Sequence, residues 1–420
     1  MWDTLCKYTS RVHSITQSVN SWFIQPLSSI MLSCTSSPAS LFPRLRKLTW
    51  HAYGSQCAAE FLRMAFVPSL LSLDIRISSP SFTFLSVISS LGTLCPHLQD
   101  MSLVTYEPSK VFHKGSPFIL QPLSQLQNLH TLSIWDVGNQ GIGHIMQLQA
   151  LRSLSLDLRE GPSIWGSQSH LQLPGFHDLE FFRLSANKLE DAFNFLNSLQ
   201  VFRSKKIIAC FDSAPSSNSE ILTKFLAILQ QKCDDNLEHF TLMFLRSART
   251  RPDDFMPLQA CHNLTQLHIR RGCDTSISGE ELCQMVSAWP KLEALSIGGL
   301  SIGNTITFHG LISLLRLCPS LTSLSLAIDA TKLDGIDIKR PGGEISSKHL
   351  KVLVLGNSPI DSPQHVALII SGLFPYLEQV EFDYWDSCMQ AQKNTMIDRW
   401  TSVNTFLRCF SIVRERYTEA

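Results

Sequence analysis

No Cys-x-x-Cys pair occurs in this 420-residue chain, although it holds twelve cysteines. No cysteine–histidine set has the spacing of a zinc site. A Walker A loop, His-Glu-x-x-His and Gly-x-Ser-x-Gly are all missing. Neither sign of charge predominates: Lys plus Arg is 35 and Asp plus Glu is 35. No global field therefore draws the chain to nucleic acid or to an acidic membrane. Long hydrophobic runs are lacking too. The longest nearly unbroken one, VALIISGLF at Val366–Phe374, is far too short to span a bilayer. The amino-terminal MWDTLCKYTSRVHSITQ has no continuous apolar stretch of signal-peptide type. These absences leave no nucleophile–base pair or metal set on which to build an enzyme, and they imply no cofactor. Scattered cysteines without paired spacing imply a reduced setting, cytoplasmic or nuclear, with buried thiols.

What the chain does have is a repeated phrase. CPSLTSLSL at Cys318–Leu326, WPKLEALSI at Trp289–Ile297 and CPHLQDMSL at Cys95–Leu103 are near copies. Aligning on Leu-x-x-Leu-x-Leu, with other large apolar residues tolerated, gives matches that start at Leu45, Leu70, Leu98, Leu129, Leu151, Leu179, Leu237, Leu264, Leu292, Leu321, Leu350 and Leu377. The one double-length gap contains KKIIACFD at Lys205–Asp212, a degenerate thirteenth strand. The mean period is roughly 28 residues, which is the signature of a leucine-rich repeat with one strand and one helix per unit. In a strand, Leu324 and Leu326 point inward while Ser323 and Ser325 point out. Each unit returns in the same direction through a crossover, so the strands are parallel.

Pro precedes the first leucine by two places at Pro43, Pro68, Pro96, Pro290, Pro319 and Pro375, where it stops the preceding helix. Helical patterns lie between strands. Ser278 with Glu281 reads as a capping box, and Ser362–Pro363 as an N-cap and first turn. Asp157–Phe176, Val104–Gln121 and Ala327–Ser347 read as long loops. Gly141, Gly143 and the pairs Gly298–Gly299 and Gly342–Gly343 read as turn residues. The expected fold is a single right-handed α/β leucine-rich-repeat solenoid, a curved horseshoe with parallel strands on the concave face and helices and loops on the convex face. Residues 1–44 form an amino-terminal cap with a weak first strand in SRVHSIT and an amphipathic stretch from Val19 to Leu32. The array occupies 45–385, and 386–420 close it with a helix over Asp398–Tyr417 whose outer side is polar. One unit leaves both stacking faces wet, so neighbours are obligatory.

Cys95, Cys261 and Cys318 fall just before strands and read as small buried hydrophobes. The concave face is then the candidate site. Its central outward position carries Thr49, Asp74, Ser102, Ser133, Ser155, Arg183, Thr241, His268, Ser296, Ser325, Val354 and Glu381. The next outward position carries His51, Arg76, Val104, Trp135, Asp157, Ser185, Met243, Arg270, Gly298, Ala327, Gly356 and Asp383. Trp135 is expected to face solvent with Arg76, Asp157 and Arg183 around it. Glu381, Asp383, Trp385 and Asp386 form an acidic-aromatic patch near the carboxyl end. Aromatic and arginine residues are the usual anchors of protein interfaces. The competing reading is that Trp135 and Trp385 pack against a loop or the end helix. The protein-binding candidates are Arg76, Trp135, Asp157, Arg183, His268, Arg270, Glu381 and Asp383.

YTSRVHSIT at Tyr8–Thr16, SLFPRLRKLTW at Ser40–Trp50, FLRMAFVPSLLSLDI at Phe61–Ile75 and LCPHLQDMSL at Leu94–Leu103 together resemble the repeat region of F-box/leucine-rich-repeat proteins. The resemblance covers nearly the whole chain. It implies a substrate receptor of an SCF-type ubiquitin ligase, in which an F-box holds the adaptor and cullin while the repeats hold the protein to be degraded. The helical Leu-Pro-x-Glu-Leu segment of an F-box is not visible, and Met1 already lies inside the resembling region. On this expectation the F-box was lost or precedes the chain, and no adaptor-binding residue carries over. The family's Asn or Cys two places beyond the last strand leucine survives at Asn187, whereas Tyr53, Val137, Leu300 and Asp329 replace it elsewhere. The alternative is a free-standing repeat scaffold without a ligase link. Either form binds a protein, needs neither nucleic acid nor membrane, and is monomeric outside a complex.

Overall fold

The computed structural model describes residues 2–17, 41–52, 56–77, 81–105, 112–159, 172–213, 220–233, 236–246, 248–270, 273–275, 277–298, 306–343, 345–356, 358–382 and 390–418. The chain divides into two compact units, residues 1–187 with 194–204, and residues 188–193 with 205–420. The first holds β1 (Ser14–Gln17), β2 (Lys47–Ala52), β3 (Ser72–Ile77), β4 (Asp100–Thr105), β5 (Thr131–Trp135), β6 (Ser153–Asp157) and β7 (Leu173–Ala186). The strand β8 (Leu199–Phe211) enters the second, which continues with β9 (His239–Phe244), β10 (Ala248–Thr250), β11 (Gln266–Arg270), β12 (Cys273–Thr275), β13 (Ala294–Ile297), β14 (Ser323–Leu326) and β15 (Val352–Val354). All but β10 and β12 belong to one 13-stranded sheet whose order is the chain order. Every described ladder is parallel. β10 and β12 make a separate parallel pair just past β9 and β11.

The repeated phrase has a local explanation in hydrogen bonds. Its proline is the second residue of a β-turn: the N–H of Leu321 donates to the Cys318 carbonyl at 3.3 Å, and Leu292 to Trp289, Leu98 to Cys95 and Leu70 to Val67 at 3.0–3.1 Å. Proline fits there because its fixed φ suits that turn position and its missing N–H is not needed. Positions without proline, such as Gln127 and His262, keep the same turn through Leu129 to Leu126 and Leu264 to Cys261. In most of the described repeats the carbonyl just after the first leucine then accepts two N–H groups from the next repeat. Glu293 receives Thr322 and Ser323 at 2.8 and 3.1 Å, and Thr322 receives Lys351 and Val352 at 2.8 and 3.2 Å. In the first unit Arg46 receives Leu71 and Ser72, and His130 receives Arg152 and Ser153. One leucine fixes the turn, and the residue after it fixes the next repeat.

The inward leucines are fully buried: Leu45, Leu70, Leu98, Leu129, Leu264, Leu292 and Leu321 each show 0% exposure. Three phenylalanines from consecutive elements pack in each unit. Phe182 meets Phe195 and Phe202 in the first, and Phe211 meets Phe225 and Phe244 in the second. The capping box is present, with Ser278 Oγ accepting from the Glu281 N–H at 3.2 Å and the Glu281 carboxylate accepting from the Ser278 N–H at 2.7 Å. The Ser278 backbone N–H, and after it the Ser278 hydroxyl, hold the Glu281 carboxyl below its usual range by bonding to its charged form. In the second unit the helix Gln390–Thr418 buries Trp400, Val403 and Leu407. Asn404 meets the last sheet edge, accepting from the Val380 N–H at 2.8 Å and donating to its carbonyl at 3.0 Å.

Several expectations need correction. Val104–Gln121 is not a loop throughout, because Phe112–Gln125 is a helix despite Pro117 and Pro122. Ile119 and Leu123, one helical turn apart, are completely buried, and that burial outweighs the poor propensity. Gly141 and Gly143 lie inside the helix Gly138–Ile145, where a Cβ on Gly141 would come within 2.7 Å of the Leu120 side chain. Gly343, by contrast, is a true turn glycine at φ 66°. The Leu377 repeat forms only an isolated bridge between Val354 and Glu381. The strands expected at KKIIACFD and in SRVHSIT both form, as part of β8 and as β1, and β1 rather than the Leu377 repeat brings the sheet to thirteen strands. The outer side of the terminal helix is not wholly polar, since Ile412 and Val413 are each 50% exposed. Asp157–Phe176 gives way to strand from Leu173, and the Val19–Leu32 stretch lies outside the described residues.

Truncating an inward leucine should cost far more than removing a turn proline. Leu324→Ala is expected to lose about 2–5 kcal/mol and Pro319→Ala at most about 1 kcal/mol, read from urea midpoints of the full chain.

Candidate protein-binding face

Register turns the outward residues into rows. In the first unit Thr16, Thr49, Asp74, Ser102, Ser133, Ser155 and Arg183 are consecutive ladder partners. In the second, Ile208, Thr241, His268, Ser296, Ser325 and Val354 are consecutive partners, with Glu381 bridged to Val354. The small hydroxyls in these rows leave backbone and short side chains as most of the surface. The charged residues are therefore its distinguishing features.

In the first unit these charges are largely satisfied internally. Asp74 sits 3.4 Å from Arg76 Nε and 3.5 Å from His51 Nε2. Arg76 and His51 are themselves ladder partners, so the three side chains form one triangle. Asp157 accepts from the Arg159 Nε at 2.8 Å and Nη2 at 2.5 Å, and from the Arg159 backbone N–H at 3.1 Å. Arg183 is exposed beside Ser155. Asn187 donates to the Arg159 carbonyl at 2.7 Å, making the cross-repeat bond that its position in the repeat implies.

Trp135 does not face solvent. It stands opposite Asp157 on the outward side of β5, yet it is 3% exposed, as buried as its inward neighbour Ile134. Strand alternation fixes the side from which a side chain leaves, not whether another segment covers it. Trp135 is thus core, and the competing reading holds for it. Glu381 is exposed at its bridge, whereas Asp383, Trp385 and Asp386 lie outside the described residues.

The second unit differs in electrostatic character. His268 and Arg270 project two places apart on β11, ladder partners of Thr241 and Met243. One row toward the strand starts, Lys206, His239 and Gln266 are partners in turn. Lys206 and His239 are not among the residues expected from sequence, because they stand one outward position before the central row. Extending the alternation two residues back from Ile208 and Thr241 finds both. The His268 imidazole is held down to about 4, first by burial and then by Arg270, His239 and Lys206. It is consequently neutral near pH 7. The Nδ1 atoms of His239 and His268 are shut off from solvent without a hydrogen-bond partner.

Nothing among the described residues gathers three or more His, Cys, Asp or Glu side chains in a way that would hold a metal ion. Cys95, Cys261 and Cys318 are buried, and burial pushes the Cys95 and Cys318 thiols up to about 12, so neither offers a thiolate near neutrality. No described helix is long and apolar enough to cross a membrane.

The fold is an α/β leucine-rich-repeat solenoid. Among solved structures, the chain is similar to TLR13 in the crystal structure of its complex with ssRNA13. The likeness has 16% identity and a TM-score of 0.40, over 81% of this chain. The chain matches only 50% of that protein's length. No protein-family model and no curated protein matches the chain.

Trp135→Ala is expected to lower stability by about 3–5 kcal/mol, whereas Arg183→Ala changes it by at most about 0.5 kcal/mol. Urea titration of both variants reads this contrast; a neutral Trp135→Ala would return that residue to the binding surface.

Proposed function

We propose that this chain is a non-catalytic protein-recognition subunit that grips its partner on the outward face of the sheet. The observation that carries this reading is the register itself. It lines up short hydroxyl side chains in one row per unit, giving a surface on which a partner's side chains can seat, with a few charged residues among them to select it. Charge complementarity at such a face acts on specificity and encounter rate more than on raw affinity. In this reading any covalent chemistry belongs to other subunits.

A more specific form of this reading is a substrate receptor of an SCF-type ubiquitin ligase, with the held protein as the degradation target. Its support is the order of the amino-terminal phrases YTSRVHSIT, SLFPRLRKLTW and LCPHLQDMSL, which resemble the repeat region of F-box proteins. The free-standing scaffold shares the same binding face and dispenses with adaptor and cullin. A protein so built acts in the cytoplasm or nucleus and stays monomeric outside its complex.

Proximity labelling in cells separates these forms when wild type is compared with Ser296→Trp/Ser325→Trp, which fills the central row. The recognition reading expects a set of labelled proteins that the double variant loses while remaining folded. Adaptor and cullin among the proteins that persist in both samples mark the ligase form, and their absence marks the scaffold. Labelling that is identical in both samples would sink the reading.

A further inference from the structure

We propose that the open edge of β1 takes an extended, acidic segment of a partner protein as a further parallel strand. This surface is an end of the sheet, separate from its outward face, and it stands without the recognition reading above.

The first observation is a break in the series of cross-repeat bonds. β1 begins the strand order, so its outer edge pairs with no described strand. Arg46 and Lys47, the two residues after Leu45, donate their N–H groups to the His13 carbonyl at 2.9 and 3.1 Å. In β1 the place of that leucine belongs to Val12, whose N–H closes the same turn onto the Thr9 carbonyl at 3.1 Å. The matching donors are therefore the N–H groups of His13 and Ser14, and neither bonds to a described residue. Because Lys47 turns its N–H toward β1, its ladder partner Ser14 turns its own away from β2. In the second unit Asn404 covers the last such edge, but no described residue takes that part at β1.

The second observation is apolar. Val12 and Ile15 hold the positions that Leu45 and Leu48 hold one repeat later, both at 0% exposure, yet each is only half-buried. The third is charge. Arg11, Arg44, Arg46 and Lys47 are exposed where β1 and β2 begin, and none makes an ion pair among the described residues. The carboxylates on β3 and β4 leave them so. Asp74 lies against His51 and Arg76. Asp100 stands in the row of Lys47 but two strands away, about 10 Å at ordinary strand spacing. Glu60, on the helix Gln56–Ala65, makes no ion pair among the described residues either.

An extended peptide answers all three. Its carbonyl accepts from His13 and Ser14, as the His13 carbonyl accepts from Arg46 and Lys47. Two apolar side chains three places apart cover Val12 and Ile15, at the spacing of Leu45 and Leu48. Carboxylates just before the first of them meet the cations. In strand addition of this kind the backbone bonds supply affinity and the side chains supply choice. Tyr8, 65% exposed just before the turn, offers a further contact. A polyanion without apolar groups, such as RNA or an anionic bilayer surface, pairs with the cations but leaves Val12 and Ile15 half wet.

The test is fluorescence anisotropy of the fluorescein-labelled peptide EEDLTSLTT with the full chain, checked for folding by circular dichroism. Wild type is expected to bind it, and to bind KKKLTSLTT at least tenfold more weakly. Ser14→Pro removes a donor that β2 does not use, a change an edge strand tolerates. It should weaken binding about fivefold, the worth of one net hydrogen bond. Ile15→Asp and Arg11→Gln/Lys47→Gln should each cost about tenfold, the latter less as salt rises. Lys339→Gln, the same loss of charge in an exposed loop, should bind as wild type does. Should Ile15→Asp fail to fold, the other two variants still decide. No binding by wild type overturns the proposal and leaves the cations as guards of a short edge strand. Affinity that follows the cations but ignores Ser14→Pro and Ile15→Asp overturns it in favour of a polyanion, for which single-stranded RNA and phosphatidylserine vesicles serve as competitors. A concentration-dependent dimer in sedimentation, abolished by Ser14→Pro, gives the edge to a second copy and overturns it as well.

Discussion

A single backbone carbonyl per repeat organises this protein. The oxygen one residue past the first leucine, as at Glu293 or Arg46, takes two N–H groups from the following repeat. Because that bond bridges units, no repeat satisfies its own backbone, and each one's leucines are dry only when both neighbours are seated. Everything else follows from keeping this carbonyl in place. The β-turn before it, often with proline in second position, aims the chain; the buried leucine beside it locks the depth; the next strand inherits the register. Where the series stops in the second unit, Asn404 imitates a further strand by bonding both backbone groups of Val380.

Because register is inherited strand by strand, outward residues form rows without any interaction between their side chains. Chemistry on the face is free to drift while the fold stands still, and the two units illustrate how far. In the first, Asp74 and Asp157 lie against their own cations, Arg76 with His51 and Arg159. In the second, Arg270 makes no ion pair among the described residues and stands near two half-buried imidazoles. Exposed ion pairs of the first kind add little stability and little hunger for a ligand.

The comparison between expectation and structure turns on the range of the interactions involved. Repeat period, parallel pairing, inward leucines and the Ser278–Glu281 cap were readable because each is written within a few residues. The same holds for the outward rows, whose membership needs only alternation and a constant register. Errors arose where distant packing decided. The helix Phe112–Gln125 forms against two prolines because Ile119 and Leu123 are buried, which no local propensity reveals. Gly141 resembles a turn residue in sequence, but its missing side chain makes room for Leu120. Lys206 and His239 continue the same alternation one step toward the strand starts, so their place on the face is also written locally.

Sequence by itself determined the repeat unit and the direction of every inward leucine, since turn chemistry and period-two alternation are local properties of the chain. It also determined which residues could share an outward row. Only tertiary structure decided which of them meet solvent and which find a partner. Trp135 leaves its strand on the outward side and is buried all the same, while Arg270 leaves on that side and is exposed. Exposure and charge balance are set by segments far away in sequence, and those are fixed only when the whole stack has closed.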